Sequence, residues 1–292
     1  MKDKFFILFQ HIMPQHLLSR LVGRIAECKT PWIKNRFITW FAKRYGINMS
    51  EALIENPTDF ENFNAFFTRE LKPGVRSIDA DDNAIVSPAD GAISQLGPIE
   101  HGRIFQAKGR GYGLTTLLGG QADLAEPFIG GFFSTIYLSP KDYHRVHMPV
   151  TGTLRETVFV PGDLYSVNQS TAENVDQLFA RNERLVAIFD TAFGPMAMVL
   201  VGAMVVAGIE TVWAGHEAPL KREAVRKSFQ PSTPEPVTLQ KGEEMGRFKL
   251  GSTVVLLFGP EAIAWQETLG ANSPLQLGER IATKADQAAP ES

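Results

Sequence analysis

Gly251-Ser252-Thr253-Val254-Val255-Leu256-Leu257-Phe258 is the stretch on which both the fold and the chemistry of this chain turn. Residues 253–258 form an unbroken, β-prone apolar run of strand length, which predicts a strand inside the core. Outward from it the same signal recurs at Phe132–Leu138, Leu154–Val160, Leu185–Asp190, Met196–Ala207 and Ile209–Trp213, with Gly and Pro between the runs. Leu114–Leu118 and Ala172–Ala180 read as short helices. The expectation is an α+β chain with a mainly β domain over 71–275. No repeat at a solenoid period interrupts it.

The first 70 residues follow a helical period instead. Leu17, Leu18, Leu21, Val22 and Ile25 share one face, with Arg20, Arg24 and Glu27 on the other. A second stretch sets Ile33, Phe37, Trp40 and Phe41 against Arg36 and Lys43, and Pro14 and Pro31 mark the helix starts. Such a pattern fits a helix packed on the protein's own core. Two basic helices in succession, with Trp32 and Trp40 as anchors, fit better an interfacial region lying on a membrane. Phe5–Phe9 is too short an apolar run for a secretion signal, so the amino terminus is expected to be retained. Residues 231–236 read as an exposed loop, and residues 276–292 as a loose polar tail.

Charge narrows the partners. Residues 1–50 hold nine Lys and Arg against two acids, a net +7, which leaves −10 for the rest of a chain whose formal charge is −3. The net charge of −3 argues against a nucleic-acid binder that relies on a global basic field, and a basic arm on an acidic body suits an anionic surface. The single cysteine, Cys28, rules out an intrachain disulfide and any metal centre built on clustered thiolates. The longest apolar stretch, 12 residues from Ala197 to Gly208, is too short to span a bilayer.

Three stretches carry reactive side chains: Pro88-Ala89-Asp90-Gly91, Asp142-Tyr143-His144-Arg145-Val146-His147-Met148-Pro149, and Lys249-Leu250-Gly251-Ser252-Thr253. Singly, each has an ordinary explanation: two turns, and a pair of structural histidines. Together Asp, His and Ser are the parts of an orienter, a base and a nucleophile. No Gly-x-Ser-x-Gly elbow surrounds Ser252, which argues against an α/β-hydrolase. Gly251 leaves the carbonyl before Ser252 sterically open, an arrangement suited to attack by the serine on its own preceding peptide bond.

At this point the sequence resembles a known family. Met245-Gly246-Arg247-Phe248-Lys249-Leu250-Gly251-Ser252-Thr253 is similar to the self-processing signature of bacterial, membrane-associated phosphatidylserine decarboxylases. The 142–149 stretch is similar to that family's histidine motif, and Ser87-Pro88-Ala89-Asp90-Gly91 to its aspartate motif. Phe179-Ala180-Arg181-Asn182-Glu183-Arg184 and Phe193-Gly194-Pro195-Met196-Ala197 also look familial. The likeness runs from about Phe5 to about Phe258, with five stretches in the expected order.

The resemblance implies that the chain cuts itself between Gly251 and Ser252, giving subunits 1–251 and 252–292, and that Ser252 becomes a covalent pyruvoyl cofactor with no metal. It implies His147 as the base in the cutting step, with Asp90 orienting it. It implies His144 as the group that returns a proton to the substrate carbon. The substrate would be phosphatidylserine and the product phosphatidylethanolamine. The enzyme would sit peripherally on the cytoplasmic face of the bacterial cell membrane, with a homodimer suggested by analogy. Thr253 and backbone amides near Ser252 are candidates for holding the headgroup phosphate or the oxyanion. The competing readings are a Ser-His-Asp lipid ester hydrolase with an intact chain and a non-enzymatic membrane-surface scaffold.

Overall fold

The computed structural model describes Gln10 and residues 15–204, 208–218, 223–229, 235–249 and 252–285. Helices come first, at Gln15–Ala26 and Pro31–Tyr45. Pro31 opens the second one, where its missing N–H costs nothing, and Gly46 ends it in the left-handed conformation at φ 65°. Ile38 and Phe41 turn inward against Phe60, Phe63, Phe66 and Phe67, so the amino-terminal region owns a separate, mostly aromatic core. Trp40 was expected on the same stripe as Phe41. It is instead exposed, because neighbours on a helix point about 100° apart.

The rest is mainly strand. In chain order come β1 (Ala84–Val86), β2 (Gly91–Pro98), β3 (Arg103–Ala107), β4 (Arg110–Gly113), β5 (Phe132–Leu138) and β6 (Arg145–His147). Next are β7 (Gly152–Val160), β8 (Arg184–Thr191), β9 (Gly194–Val201), β10 (Gly208–Thr211), β11 (Gly215–Ala218) and β12 (Val225–Ser228). The last are β13 (Thr238–Leu239), β14 (Glu244–Lys249), β15 (Ser252–Phe258), β16 (Ile263–Trp265), β17 (Pro274–Leu275) and β18 (Arg280–Lys284). One large sheet runs β12-β7-β8-β9-β15-β5-β2-β17, with β13 added on β7. A second sheet runs β11-β10-β14-β6, a third β1-β18-β16, and β3 pairs β4.

Strand β15 lies inside the large sheet, antiparallel to β9 on one side and β5 on the other, and all seven of its residues are buried. Because side chains alternate along a strand, Val254, Leu256 and Phe258 fill one core while Val255 and Leu257 fill another on the opposite face. Both faces are covered, which is why this strand shows no polar alternation.

Several expectations change. Residues 276–292 are not all a loose tail: β18 sits between β1 and β16, Leu277, Ile281 and Ala282 are buried, and the β body reaches residue 285 rather than 275. Residues 286–292 lie outside the described residues. Ala172–Ala180 divides into helices Gln169–Asn174 and Leu178–Arg181, with Gln177 left-handed between them. The Met196–Ala207 run ends as a strand at Val201, and 205–207 lie outside the described residues. So do Phe5–Phe9, Pro14 and residues 231–234, whereas Glu235 and Pro236 are exposed.

Candidate active site

One end of the large sheet gathers the reactive stretches. Gly91 faces Leu275, Ala92 faces Tyr137, Leu138 faces Ser252, and Thr253 faces Tyr137 and Val201. Asp90 therefore stands just before β2 and Ser252 opens β15, at the same end of the two strands that flank β5. Gly91 is required there: a Cβ would stand 2.3 Å from the Tyr137 carbonyl oxygen. The histidine stretch is clamped alongside. His147 N–H donates to Pro88 O at 2.8 Å, and Phe248 N–H donates to His144 O at 3.0 Å. Strand β6 pairs with β14, whose continuation leads to Ser252. Gly251, expected to be cut from Ser252, lies outside the described residues, as does Leu250.

Asp90 is buried, and Arg76 grips both of its oxygens, Nε to Oδ1 at 2.9 Å and Nη2 to Oδ2 at 2.6 Å. Leu277 N–H adds a third bond to Oδ1 at 2.9 Å. This residue belongs to the segment expected to be loose, so the carboxy-terminal strands help build the site. Arg76 also reaches Glu51 at 2.9 Å, tying the site to the amino-terminal region.

His147 is held otherwise than expected. Its Nδ1 donates to Gly242 O at 2.9 Å, and Tyr143 OH sits 3.1 Å from Nε2. A carbonyl only accepts, so Nδ1 carries the proton and Nε2 holds a lone pair that Tyr143 OH donates into. Among the described residues no hydrogen bond links Asp90 to His147, because the carboxylate is drawn into the charge-assisted fork of Arg76. Burial pushes the His147 pKa below its ordinary value, opposed by the Gly242 bond and by the negative charges of Glu244 and Asp90. Asp90 thus favours the imidazolium through its field, while the Gly242 carbonyl orients the ring.

His144 is fully buried. Its Nδ1 donates to Asp142 O at 2.8 Å, its ring lies 4.0 Å from that of Phe67, and its Nε2 has no partner among the described residues. Burial pushes its pKa down to about 3, so the ring is neutral with a bare Nε2. Ser252 and Thr253 are also fully buried, and neither hydroxyl has a partner among the described residues. The three expected members Asp90, His147 and Ser252 share one end of the fold without forming a hydrogen-bonded relay.

Sequence reading did not find Arg76, Gly242 or the capping role of Tyr143. Tyr143 stood inside the quoted motif, but Arg76 and Gly242 carry no motif of their own. The two further familial stretches prove to be structural. Asn182 bonds Tyr165 and Gly202, and Arg184 donates to the carbonyls of Thr116, Leu117 and Asn182. Residues 193–197 close the β8–β9 turn and open β9, at the sheet end remote from Ser252.

What could this end of the sheet hold? A buried hydroxyl without a partner costs about 1–3 kcal/mol. A ketone in its place would have no donor to satisfy, so the site fits a group made from Ser252 itself. No helix among the described residues is long and apolar enough to cross a membrane.

The chain is similar to known proteins along nearly its whole length. The family model described as phosphatidylserine decarboxylase matches residues 63–283, and a second, described as PSD, matches residues 5–46. A protein of Pseudomonas entomophila named phosphatidylserine decarboxylase proenzyme is 63% identical over 285 residues, covering 98% of this chain and 99% of that one. Proteins of the same name from Pseudomonas putida and Pseudomonas fluorescens are each 62% identical, over 98% and 97% of this chain and 99% of each of theirs.

Proposed function

The chain belongs to the phosphatidylserine decarboxylase family, and on that premise we propose that it converts phosphatidylserine to phosphatidylethanolamine with a pyruvoyl group made from its own Ser252. The observation that carries the reading is the Ser252 hydroxyl, fully buried and without a partner among the described residues, at the head of a strand paired on both sides. The ester-hydrolase alternative is not retained, since the relatives are named as proenzymes of a decarboxylase.

In maturation, His147 Nε2 is the base that takes the proton from Ser252 Oγ, after Tyr143 OH gives up that lone pair. Gly242 O keeps the ring oriented, and Asp90 stabilises the imidazolium through space. Oγ attacks the Gly251 carbonyl carbon, and the peptide C–N bond gives way to an ester. Loss of the Cα proton and cleavage of the Cβ–O bond release the Gly251 carboxylate and leave a dehydroalanine. Tautomerisation and addition of water expel ammonia and leave the pyruvoyl group.

That group supplies a ketone that takes up the headgroup amine and accepts the electron pair left as carbon dioxide departs. His144 Nε2 handles the proton. Because its ring is neutral and Nε2 bare, it must gain a proton, from the substrate ammonium, before it can return one to carbon. The negative charge that the substrate brings raises its affinity for that proton.

Docking on the cytoplasmic leaflet falls to the first two helices. Leu17, Leu21 and Ile25 are exposed at helical spacing, Trp32 and Trp40 are exposed, and Arg24, Arg36 and Lys43 stand exposed around them. Intact mass spectrometry of the purified protein, with and without borohydride, tests the central claim. Two pieces split between 251 and 252, the smaller amino-blocked and heavier by two hydrogens after reduction, are expected. One uncut chain that still decarboxylates the lipid would overturn it.

A further inference from the structure

The lipid headgroup carries a phosphodiester, and one buried cation near His144 pairs with no anion among the described residues. Arg69 is only 4% exposed. Its Nη2 donates to Lys141 O at 3.2 Å, but Nε and Nη1 have no acceptor among the described residues. Its neighbours are different. Arg76 is clasped by Asp90 and Glu51, and Arg145 by Glu70 and Glu244. Burial pulls the Arg69 pKa down, partly opposed by the negative charges of Asp90, Glu51 and Asp142, yet a guanidinium stays charged in a protein. A buried, unpaired cation is costly unless an anion arrives to meet it.

Its position suits substrate. Phe67, two residues earlier, packs on the His144 ring, and Lys141 belongs to the loop that carries His144. Arg69 lines a hollow of about 270 Å³ together with Glu70, Arg145, Arg247, Leu53 and Ile54. Leu53 and Ile54 are 53% and 42% exposed, so the hollow has an apolar lip, and of its three arginines Arg145 is held by Glu70 and Glu244 and Arg247 by Glu244, while Arg69 has no carboxylate partner among the described residues. That combination fits an anion attached to lipid. The substrate holds two anions, but only one profits from a cation. An arginine on the carboxylate would stabilise the charge that must leave as carbon dioxide, favouring the ground state over the transition state. The phosphodiester keeps its charge throughout, and two of its oxygens match the guanidinium fork.

We propose that Arg69 is the residue that binds the phosphodiester of the substrate headgroup, an assignment that rests on the decarboxylase reading above. The test compares two substrates on the self-processed enzyme: a short-chain phosphatidylserine and an O-alkyl serine of similar length without the phosphate. For Arg69→Ala, kcat/KM for the phosphate-bearing substrate should fall about ten- to a hundredfold, mainly through KM, while that for O-alkyl serine stays within about twofold. Arg69→Lys, which keeps the charge but not the fork, should recover part of the loss. Equal losses on both substrates would make Arg69 a structural brace and overturn the assignment. If Arg69→Ala remains uncut, Arg69→Lys carries the same comparison. If neither is cut while both keep the native circular dichroism, Arg69 serves processing and the assignment falls. Wild-type enzyme that decarboxylates neither substrate would sink the decarboxylase reading itself, and this proposal with it.

Discussion

His144 and His147 lie three residues apart, and each gives its Nδ1 proton to a backbone carbonyl, Asp142 O and Gly242 O respectively. Each therefore presents a bare Nε2. What separates them is burial and the partner at that atom: none for His144, Tyr143 OH for His147. Their losses should separate too. His147→Ala should slow cutting at 251–252 by at least about a hundredfold on a denaturing gel. His144→Ala should cut but lose decarboxylation, and identical failure of both at cutting would refute the division of labour. The pH dependence follows from the same burial. Because the His147 pKa is lowered, its base form persists below the ordinary histidine range, so the cutting rate should be flat near neutrality and fall only in acid. His144 is held neutral in the fold with a pKa of about 3, against about 6.5 unfolded. The unfolded chain binds the extra proton between those values, so stability is lost as pH falls through that window. In an uncut Ser252→Ala background, acidifying from pH 7 to 4 should lower the urea midpoint more for His144 than for His144→Gln, by on the order of a few kcal/mol in unfolding free energy. Equal pH slopes would show that His144 is not buried neutral.

At the scale of elements, strand β15 decides what cutting does to the molecule. The proposed cut falls just before a strand bonded to both β9 and β5, and β16, β17 and β18 would follow it on the same small piece. The 41 residues from Ser252 onward should therefore stay with the larger piece through gel filtration in buffer and separate only in denaturant. Spontaneous separation in buffer would contradict this strand order. Leu256→Ala, in the uncut background, should cost about 2–5 kcal/mol by urea unfolding, because the site is walled by strands on both sides. Strand β15 was legible in the sequence because burial on both faces leaves a run of apolar residues with no polar break. Strand β18 was not legible. Its Arg280-Ile281-Ala282-Thr283-Lys284 has two buried apolar residues, and it is anchored by pairing to β1 and by the Arg280–Asp79 ion pair, neither visible locally. The site divided the same way. Asp90, His144, His147 and Ser252 stood in compact motifs. Arg76 and Gly242 act across long sequence gaps, and only the folded chain brings them to Asp90 and His147.

At the scale of the whole molecule, the basic arm and the acidic body meet a lipid substrate together. The helical period of residues 15–45 revealed two amphipathic helices but could not say which residues of each apolar stripe turn inward, since such a stripe fits the protein's own core and a membrane surface alike. The fold sorts them: Ile38 and Phe41 enter the aromatic core, while Leu17, Leu21, Ile25, Trp32 and Trp40 remain outside. That sorting also dictates the experiment. Removing residues 1–40 would strip Ile38 from the core, so lost vesicle binding would not separate docking from damage. Trp32→Ala combined with Trp40→Ala removes two largely exposed rings, of which Trp40 also touches Phe37 and Phe41, and should leave self-cutting unchanged with only a small drop in thermal stability. Sedimentation with vesicles containing anionic lipid should nonetheless weaken about tenfold or more, each tenfold corresponding to about 1.4 kcal/mol of lost interfacial burial. Reversing the nearby charges with Arg24→Glu and Arg36→Glu should weaken binding to anionic vesicles and have far less effect on neutral ones, and added salt should shrink the difference. If the tryptophan pair binds vesicles as wild type does, the exposed face of these helices is not the membrane contact. Access to phosphatidylserine would then have to come from another surface, with the apolar lip at Leu53 and Ile54 the next to test.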